Sequence, residues 1–299
     1  MFVRILILAA GLTLASCATS EAQTAKVPKT VTPAQWAEGC EPWDEWDKPA
    51  PPFQIHGNTY YVGTCGISSI LIVGKEQHFL LDTGTEAGSE VVLGNIRKLG
   101  VEPFEIFAVG YSHEHFDHVG GMANVIEATG ANLVSSPAAE TVFNTGKDNP
   151  IDPQSGMHEP MAPVAVEMLI DNGETIIVDD TVFTAIFTPG HTPGALSWHW
   201  ESCVGEDCKS IVYADSLSPV SRDDYKFSDH PDYIADYRAG LERLRKLACD
   251  ILLTPHPSAS QMLKRATSGT FEGGMTCEQY ADAVEKRLDA RLAQEAAGE

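Results

Sequence analysis

The chain has 299 residues, 43% of them hydrophobic, which is enough to bury the core of one large α/β domain or of two small ones. Its formal net charge of −22 argues against nucleic acid as a partner, because phosphate contacts require clustered Lys and Arg side chains. Beyond the N-terminal stretch there is no run of about 18 or more apolar residues, so the sequence predicts no internal transmembrane helix.

The first residues have the pattern of an export signal. Arg4 supplies a positive charge, an apolar stretch follows, and small residues end it, so we predict a signal peptide over residues 1–16. The segment Leu14–Cys17 (Leu-Ala-Ser-Cys) is similar to a bacterial lipobox. It predicts a location in the periplasm, with a lipid on Cys17 as the only contact with a membrane. The alternative is cleavage near residues 18–22, which would remove Cys17.

The cysteine count agrees with export. Seven cysteines are an odd number, and six remain once Cys17 is set apart. Six cysteines allow many pairings, and disulfides fit the periplasm. None of the six has Cys-x-x-Cys spacing, so a structural zinc knuckle is not predicted. Proximity along the chain favours three pairs: Cys203–Cys208, Cys40–Cys65 and Cys249–Cys277.

The N-terminal part of the mature chain is expected to be irregular. Residues 17–52 are predicted to form a lipidated tether and an arm, with a small, polar first part and three Trp in the second. The folded domain is expected over residues 53–299. Its first half contains short β-branched or aromatic runs separated by Gly, and longer runs with helical spacing. Strands are predicted at 59–63, 67–73, 78–82, 104–111 and 132–135, and helices at 87–99, 119–128 and 138–144.

The second half repeats the order of strands followed by helices. Residues 144–163 are rich in Gly, Pro and Asp without periodicity, and we predict a loop there. Strands are predicted at 166–170, 175–178, 182–188, 195–200, 211–214 and 251–254, with an amphipathic helix over 231–247. Thr276 and Gln279 form the capping box of a C-terminal helix. Because no linker separates the halves, the sequence predicts one layered α/β unit.

Four ligand-type residues fall within six positions between an apolar strand and a helix. His113 and His115 are two apart in an extended loop, so they face the same way and can converge on one ion. Asp117 and His118, at the turn into the helix, point to a second ion. A single His on a loop is usually solvated or satisfied in the core, but four such residues together indicate a metal site. Imidazole and carboxylate suit Zn²⁺.

The pattern His-x-His-x-Asp-His resembles the signature of the metallo-β-lactamase superfamily, and the resemblance covers most of the chain from Phe53 onward. Asp82 in Leu-Leu-Asp-Thr-Gly, His191 in Thr-Pro-Gly-His-Thr-Pro-Gly and His256 in Leu-Thr-Pro-His-Pro are similar to further motifs of the family. The resemblance implies a four-layer αβ/βα sandwich and two Zn²⁺ ions. It also makes Asp82 a candidate acceptor for the free N–H of a ligating His. The implied ligands are His113, His115 and His191 for the first zinc, and Asp117, His118 and His256 for the second.

Residues 214–218, Ala-Asp-Ser-Leu-Ser, distinguish branches of the superfamily. They resemble the β-lactamase subclass with three His at the first zinc and Asp-His-His at the second, in which no carboxylate bridges the metals. That resemblance implies contacts of Ser216 and Ser218 with the substrate, and the three disulfides are also similar to those of this subclass. If Asp215 instead bridges the zincs, a lactonase is favoured. Glu114 is expected either to tune the site or, as is commoner for a loop Glu, to be solvated.

The resemblance implies hydrolysis of the β-lactam amide bond of antibiotics by a hydroxide that bridges the two zincs, with Asp117 orienting it. This activity would confer resistance to β-lactams, carbapenems included. We expect a monomer that acts on a small-molecule β-lactam. The alternative on the same scaffold is an acyl-homoserine lactonase or another ester or thioester hydrolase. A non-catalytic zinc-binding lipoprotein would lack a ligand, and none is missing. Trp43, Tyr225 and Phe227 are expected either to line the cleft or to pack in the interior.

Overall fold

A computed structural model of the chain describes residues 30–298. The predicted signal peptide and Cys17 lie outside the described residues. Within residues 30–298, none of the helices is both long enough and apolar enough to span a membrane.

The first half of the chain forms a seven-stranded sheet whose strands lie in chain order. Its strands are β1 Phe53–His56, β2 Thr59–Tyr61, β3 Ile70–Val73, β4 His78–Leu81, β5 Ile106–Gly110, β6 Asn132–Ser135 and β7 Met168–Leu169. Strands β1 to β4 pair antiparallel, and β4 to β7 pair parallel. Parallel pairing requires crossovers, and helices α2 Gly88–Lys98 and α4 Met122–Thr129 lie in two of them. The strand predicted over 166–170 is shorter than expected.

The second sheet has five strands in the order β12-β11-β10-β9-β8. They are β8 Thr175–Val178, β9 Thr181–Phe187, β10 Leu196–Val204, β11 Asp207–Tyr213 and β12 Ile251–Leu253. From β8 to β11, strands that follow one another in the chain pair antiparallel. The last pair, β11 with β12, is parallel, because helix α6 Pro231–Arg245 lies between them in the chain.

The two sheets pack face to face. Phe79 of β4 contacts Phe183 of β9 and Trp198 of β10, with ring centroids 4.6 Å and 5.3 Å apart. Alternate residues of β11 face opposite sides: Tyr213 joins the core between the sheets, and Val212 packs with the outer helices. These outer helices are α6 and α8 Cys277–Ala297. The predicted α/β architecture in four layers, αβ/βα, is confirmed.

The remaining helices are short: α1 Pro33–Gly39, α3 Phe116–Val119, α5 Glu140–Thr145 and α7 Met262–Ser268. Helix α1 lies where the sequence predicted a tether and an irregular arm. Thr32 and Gln35 form a capping box around Pro33, the first residue of the helix, and these signals favour a helix start. Trp36 of α1 is fully buried, with its ring 5.0 Å from that of Phe53. This segment is therefore part of the folded core.

The three predicted disulfides are confirmed. Cys203 and Cys208 are paired residues of the β10–β11 hairpin. Cys40–Cys65 joins the end of α1 to the loop after β2, with Cα atoms 5.3 Å apart. Cys249–Cys277 joins the segment before β12 to the start of α8. Each of the two longer loops closed by these bonds contributes about 3 kcal/mol in the chain-entropy model.

Candidate metal centre

The ligand-type side chains lie just after strands, where the chain leaves the two sheets. His113 follows β5, His191 follows β9, and His256 follows β12. Asp82 follows β4, and Asp215 follows β11. Residues at strand ends are held by the sheets but are free to turn toward a common point, which is why rigid scaffolds carry functional groups on such segments.

The first group consists of His113, His115 and His191, whose nitrogens lie within 4.8 Å of one another. The ring centroids are 4.6 to 5.0 Å apart, and all three residues are buried. Burial, together with the neighbouring imidazoles, holds the pKa of His113 and of His191 well below the usual value. Both rings are therefore neutral at pH 7, the form that binds a metal ion.

The second group consists of Asp117, His118 and His256. Asp117 Oδ2 lies 2.9 Å from His118 Nε2 and 3.3 Å from His256 Nε2. Burial opposes charge on Asp117, but the charge on His118 prevails and holds the Asp117 pKa well below its usual range. Burial likewise opposes charge on His118, but the Asp117 carboxylate raises the His118 pKa to about 10. The structure therefore brings the six predicted ligands together, with His256 joined to the second group through Asp117, and His113 also lies within 4.8 Å of Asp117 and His118.

The buried nitrogens of these groups fit a metal ion. Neither nitrogen of His118 makes a hydrogen bond to the described residues, although Asp117 is close, and His113 Nε2 also lacks a partner there. A buried polar atom left without a partner costs about 1–3 kcal/mol. Side chains that point to one metal ion are arranged in this way: their polar atoms lie close together but do not form hydrogen bonds with one another. Imidazole nitrogens with one carboxylate are the donor set that Zn²⁺ prefers.

Asp82 lies on the outer side of the second group. Its backbone has a positive φ of 59° and its side chain is fully buried. Ser112 donates two hydrogen bonds to the carboxylate, from its backbone N–H (2.6 Å) and its hydroxyl (2.7 Å), and the Tyr213 hydroxyl donates a third (2.6 Å). Asp82 Oδ2 is 3.5 Å from His118 Nδ1. Asp82 therefore lies next to His118, but His118 Nδ1 makes no hydrogen bond to it, so its role as an acceptor for a ligating His stays a prediction.

Asp215 is held beside His113 and is not placed between the two groups. Its Oδ1 lies 2.8 Å from His113 Nδ1, and its Oδ2 accepts the backbone N–H of Leu217. The residue is fully buried, and burial raises its pKa to about 8. A bridging role would place this carboxylate against the unpartnered His113 Nε2, but it contacts the opposite nitrogen.

The two serines predicted to bind substrate differ in their surroundings. The Ser216 hydroxyl is buried and has no hydrogen-bond partner among residues 30–298. Ser218 lies against His191 Nδ1, with its carbonyl oxygen at 2.9 Å and its hydroxyl at 3.1 Å. Because His191 Nδ1 can donate to both oxygens, the Ser218 hydroxyl proton stays available to another acceptor.

Glu114 is buried, and the expectation of a solvated loop residue is wrong. Its carboxylate accepts hydrogen bonds from the Thr192 hydroxyl (2.5 Å) and the Gly194 backbone N–H (2.8 Å), both just after His191 in the chain. Burial raises the Glu114 pKa to about 7. A Cβ at position 194 would lie 2.7 Å from Glu114 Oε1, so the contact requires Gly at this position. Burial of a loop residue depends on tertiary packing, which no local pattern reveals.

The aromatic residues expected at the cleft separate into two kinds. Tyr225 and Phe227 are buried and pack with α6 and α8. Trp43 is 69% exposed, and its ring centroid lies 6.0 Å from that of His256. Its backbone has a positive φ of 56°, and its N–H donates to the Ser258 hydroxyl. Trp43 therefore borders the second group, and the other two rings do not.

Two residues of the 144–163 loop also contact the site, and no sequence motif indicated them. Asp152 Oδ2 lies 3.0 Å from His115 Nε2, and Gln154 Nε2 lies 3.5 Å from His191 Nε2. Both residues are buried. Burial opposes charge on His115, but Asp152 outweighs it and raises the His115 pKa.

Comparisons with known proteins agree with this geometry. A family model described as "Metallo-beta-lactamase superfamily" matches residues 62–256. The solved structure of "MIM-2 Metallo-Beta-Lactamase" is 48% identical, with a TM-score of 0.84 over 89% of this chain and 99% of that one. "MEM-A1, a subclass B3 metallo-beta-lactamase isolated from a soil metagenome library" is 34% identical, with a TM-score of 0.81 over 85% of this chain and 100% of that one. "Probable metallo-hydrolase YflN" of Bacillus subtilis is 25% identical over 68% of this chain and 83% of its own length.

Proposed function

Because the chain belongs to the metallo-β-lactamase superfamily, we propose that it is a β-lactamase that hydrolyses the amide bond of β-lactam antibiotics with two bound Zn²⁺ ions. In this proposal the first zinc is held by His113, His115 and His191, and the second by Asp117, His118 and His256. The 48% identity with MIM-2, over nearly the whole of that chain, supports a β-lactamase. The similarity to MEM-A1, which is described as a subclass B3 enzyme, supports subclass B3.

The observation that carries the proposal is the position of Asp215. A carboxylate between two metals is typical of the branches with a bridging Asp, whereas Asp215 contacts His113 Nδ1 and the Leu217 N–H. The space between the ligand groups is thus left to water and substrate. A carboxylate oxygen placed between the two metals would compete with the substrate carbonyl for that space.

When bound, the zinc ions lower the pKa of water toward about 7 and polarise the substrate carbonyl. Asp117, kept ionised by its neighbours, accepts a hydrogen bond from the attacking water and orients it. The hydroxyls of Ser216 and Ser218 donate to the substrate carboxylate, since neither hydroxyl proton is committed to the protein. The ligand groups are buried except at His256, so these interactions act in a poorly hydrated site, where they are strong.

The wider setting is part of the same proposal. We place the mature protein in the periplasm as a monomer, attached to a membrane through a lipid on Cys17, where it confers resistance to β-lactams. The three disulfides support a location outside the reducing cytoplasm. The small-molecule substrate is a β-lactam, and the charge of −22 disfavours nucleic acid.

The test uses the purified, zinc-loaded protein with a carbapenem, a cephalosporin and an acyl-homoserine lactone as separate substrates. We expect hydrolysis of the carbapenem and the cephalosporin, lost on addition of a zinc chelator and restored by zinc. Turnover of the lactone with no turnover of either β-lactam would overturn the proposal.

A further inference from the structure

The loop between α5 and β7 contacts the first ligand group from outside. Asp152 is 2% exposed, and each of its carboxylate oxygens has one partner. Oδ1 accepts the backbone N–H of Gln154 at 2.7 Å, and Oδ2 lies 3.0 Å from His115 Nε2. A buried carboxylate with a specific partner on each oxygen has a defined orientation, because rotating it would leave a charged atom unpaired.

This contact determines which nitrogen His115 offers to a metal ion. A neutral imidazole carries its proton on one nitrogen and a lone pair on the other. Asp152 is acceptor-only when ionised, so it favours the proton on Nε2. The lone pair is then on Nδ1, to which no hydrogen bond is made within residues 30–298. Nδ1 of His115 is therefore the nitrogen prepared to bind the ion.

The loop that carries Asp152 is itself fixed from the other side. The backbone N–H of Arg222 donates to the Pro153 carbonyl (3.0 Å), and the Arg222 guanidinium donates to the Ser155 carbonyl (3.4 Å). Arg222 follows Ser218, which contacts His191. Asp152 thus lies on a segment whose position depends on the same part of the chain that holds another ligand of the group.

We propose that Asp152 is a positioning residue for the first zinc, which fixes the tautomer and orientation of His115. The proposal rests on the ligand set of the proposed function, in which His115 binds that zinc. It gives the 144–163 loop a role in metal affinity that no local motif indicates. Removing such an outer partner of a ligating His usually costs about 10- to 100-fold in metal affinity.

The experiment measures zinc affinity by competition with a chelating indicator in the wild type, Asp152→Ala and Asp152→Asn. We expect Asp152→Ala to weaken one of the two zinc sites by about 10- to 100-fold. Asp152→Asn should recover part of this loss, because its amide oxygen can still accept from His115 Nε2. Nitrogen-15 NMR of the zinc-free protein, recorded at a pH high enough for the His115 ring to be neutral, should show His115 protonated on Nε2 in the wild type and a mixture of tautomers in Asp152→Ala.

Asp148→Asn is the matched control. Asp148 accepts the backbone N–H of Gly156 in the same loop (2.7 Å), so the variant perturbs the loop without touching His115. Wild-type zinc affinity in Asp152→Ala, or an equal loss in Asp148→Asn, would overturn the inference. If Asp152→Ala does not fold, Asp152→Asn with unchanged affinity and an unchanged tautomer would overturn it. Because none of these measurements uses β-lactam turnover, a wild type that binds two zincs without cleaving β-lactams would overturn only the proposed function.

Discussion

The two ligand groups are built from similar side chains but are held differently. In the first group all three His are buried, and their outer nitrogens contact residues from distant segments: Asp152, Asp215 and Ser218. In the second group Asp117 and His118 are adjacent in the chain, Asp82 contacts only His118, and His256 is 21% exposed beside Trp43. The first group is therefore enclosed, with an outer contact on each of its three His, whereas the second has one His that is partly exposed.

The largest effect should come from removing the carboxylate of the second group. Asp117→Ala takes away the oxygen that contacts both His118 and His256, so we expect loss of one zinc per chain. Turnover should fall by about 100- to 10,000-fold, the range for a side chain that positions a proton in the reaction. Mass spectrometry measures the zinc content, and steady-state kinetics measure the turnover. Asp180→Ala, a substitution at a distant and exposed position, is the control. An active Asp117→Ala protein with normal zinc content would contradict the two-metal scheme.

Substitution of Ser216, whose hydroxyl has no partner among residues 30–298, should affect substrate binding more than the chemical step. A hydrogen bond to a charged group is worth about 1.5 kcal/mol or more, so Ser216→Ala should raise KM for a β-lactam about 10-fold. We expect little change in kcat, because the substrate carboxylate is bound equally in the ground and transition states. Ser268→Ala, on α7, tests for general effects of losing a hydroxyl. Unchanged KM in Ser216→Ala would remove Ser216 from the substrate site.

Gradual removal of zinc should separate the two groups. Because His256 is partly exposed and the first group is enclosed, we expect the second ion to be lost first as chelator is added. Native mass spectrometry should then show a one-zinc species, with most of the thermal stability retained. Removing the last ion should destabilise the fold, by about 2.7 kcal/mol where free zinc was at 100 times its Kd. Loss of both ions in one step would contradict the difference between the groups.

The smallest expected effect concerns the hydrogen bonds that hold Asp82 next to His118 of the second group. Tyr213→Phe removes one of three hydrogen bonds to Asp82 and should cost about 1 kcal/mol of stability. Tyr61→Phe is the matched control, since that buried hydroxyl donates to the backbone carbonyls of Thr64 and Ile67 and not to Asp82. We expect both variants to lose a similar free energy of unfolding in denaturant. Zinc binding should become a few-fold weaker only in Tyr213→Phe, because this variant disturbs a residue next to a zinc-binding His. Equal zinc affinities would remove Asp82 from the support of His118.

The parts of the fold that the sequence predicted are those with local signals. Short β-branched runs predicted most strands, and strand-end motifs named the six side chains that the structure brings together. Helix α1 was missed although Thr32, Pro33 and Gln35 carry start signals, because the surrounding composition suggested a tether. Helix α7 was missed because its start, at Gln261 with a positive φ of 57°, has no side-chain cap.

The contacts around the ligands were less accessible to sequence reasoning. Glu114 lies inside the most informative motif, yet its burial under the His191 loop depends on residues about 80 positions away. Asp152 lies in an aperiodic loop and reaches His115 only through the folded arrangement of that loop. Chemistry that is contiguous in the chain can be predicted from the sequence, whereas contacts that position it require the three-dimensional structure.

The most direct test of a two-zinc β-lactamase is a zinc titration of the metal-free protein that follows carbapenem hydrolysis and bound zinc in the same samples. We predict that hydrolysis rises with zinc and reaches its plateau at two ions per chain. A protein that binds two zinc ions and hydrolyses no β-lactam, or one that is fully active with a single ion, would contradict it.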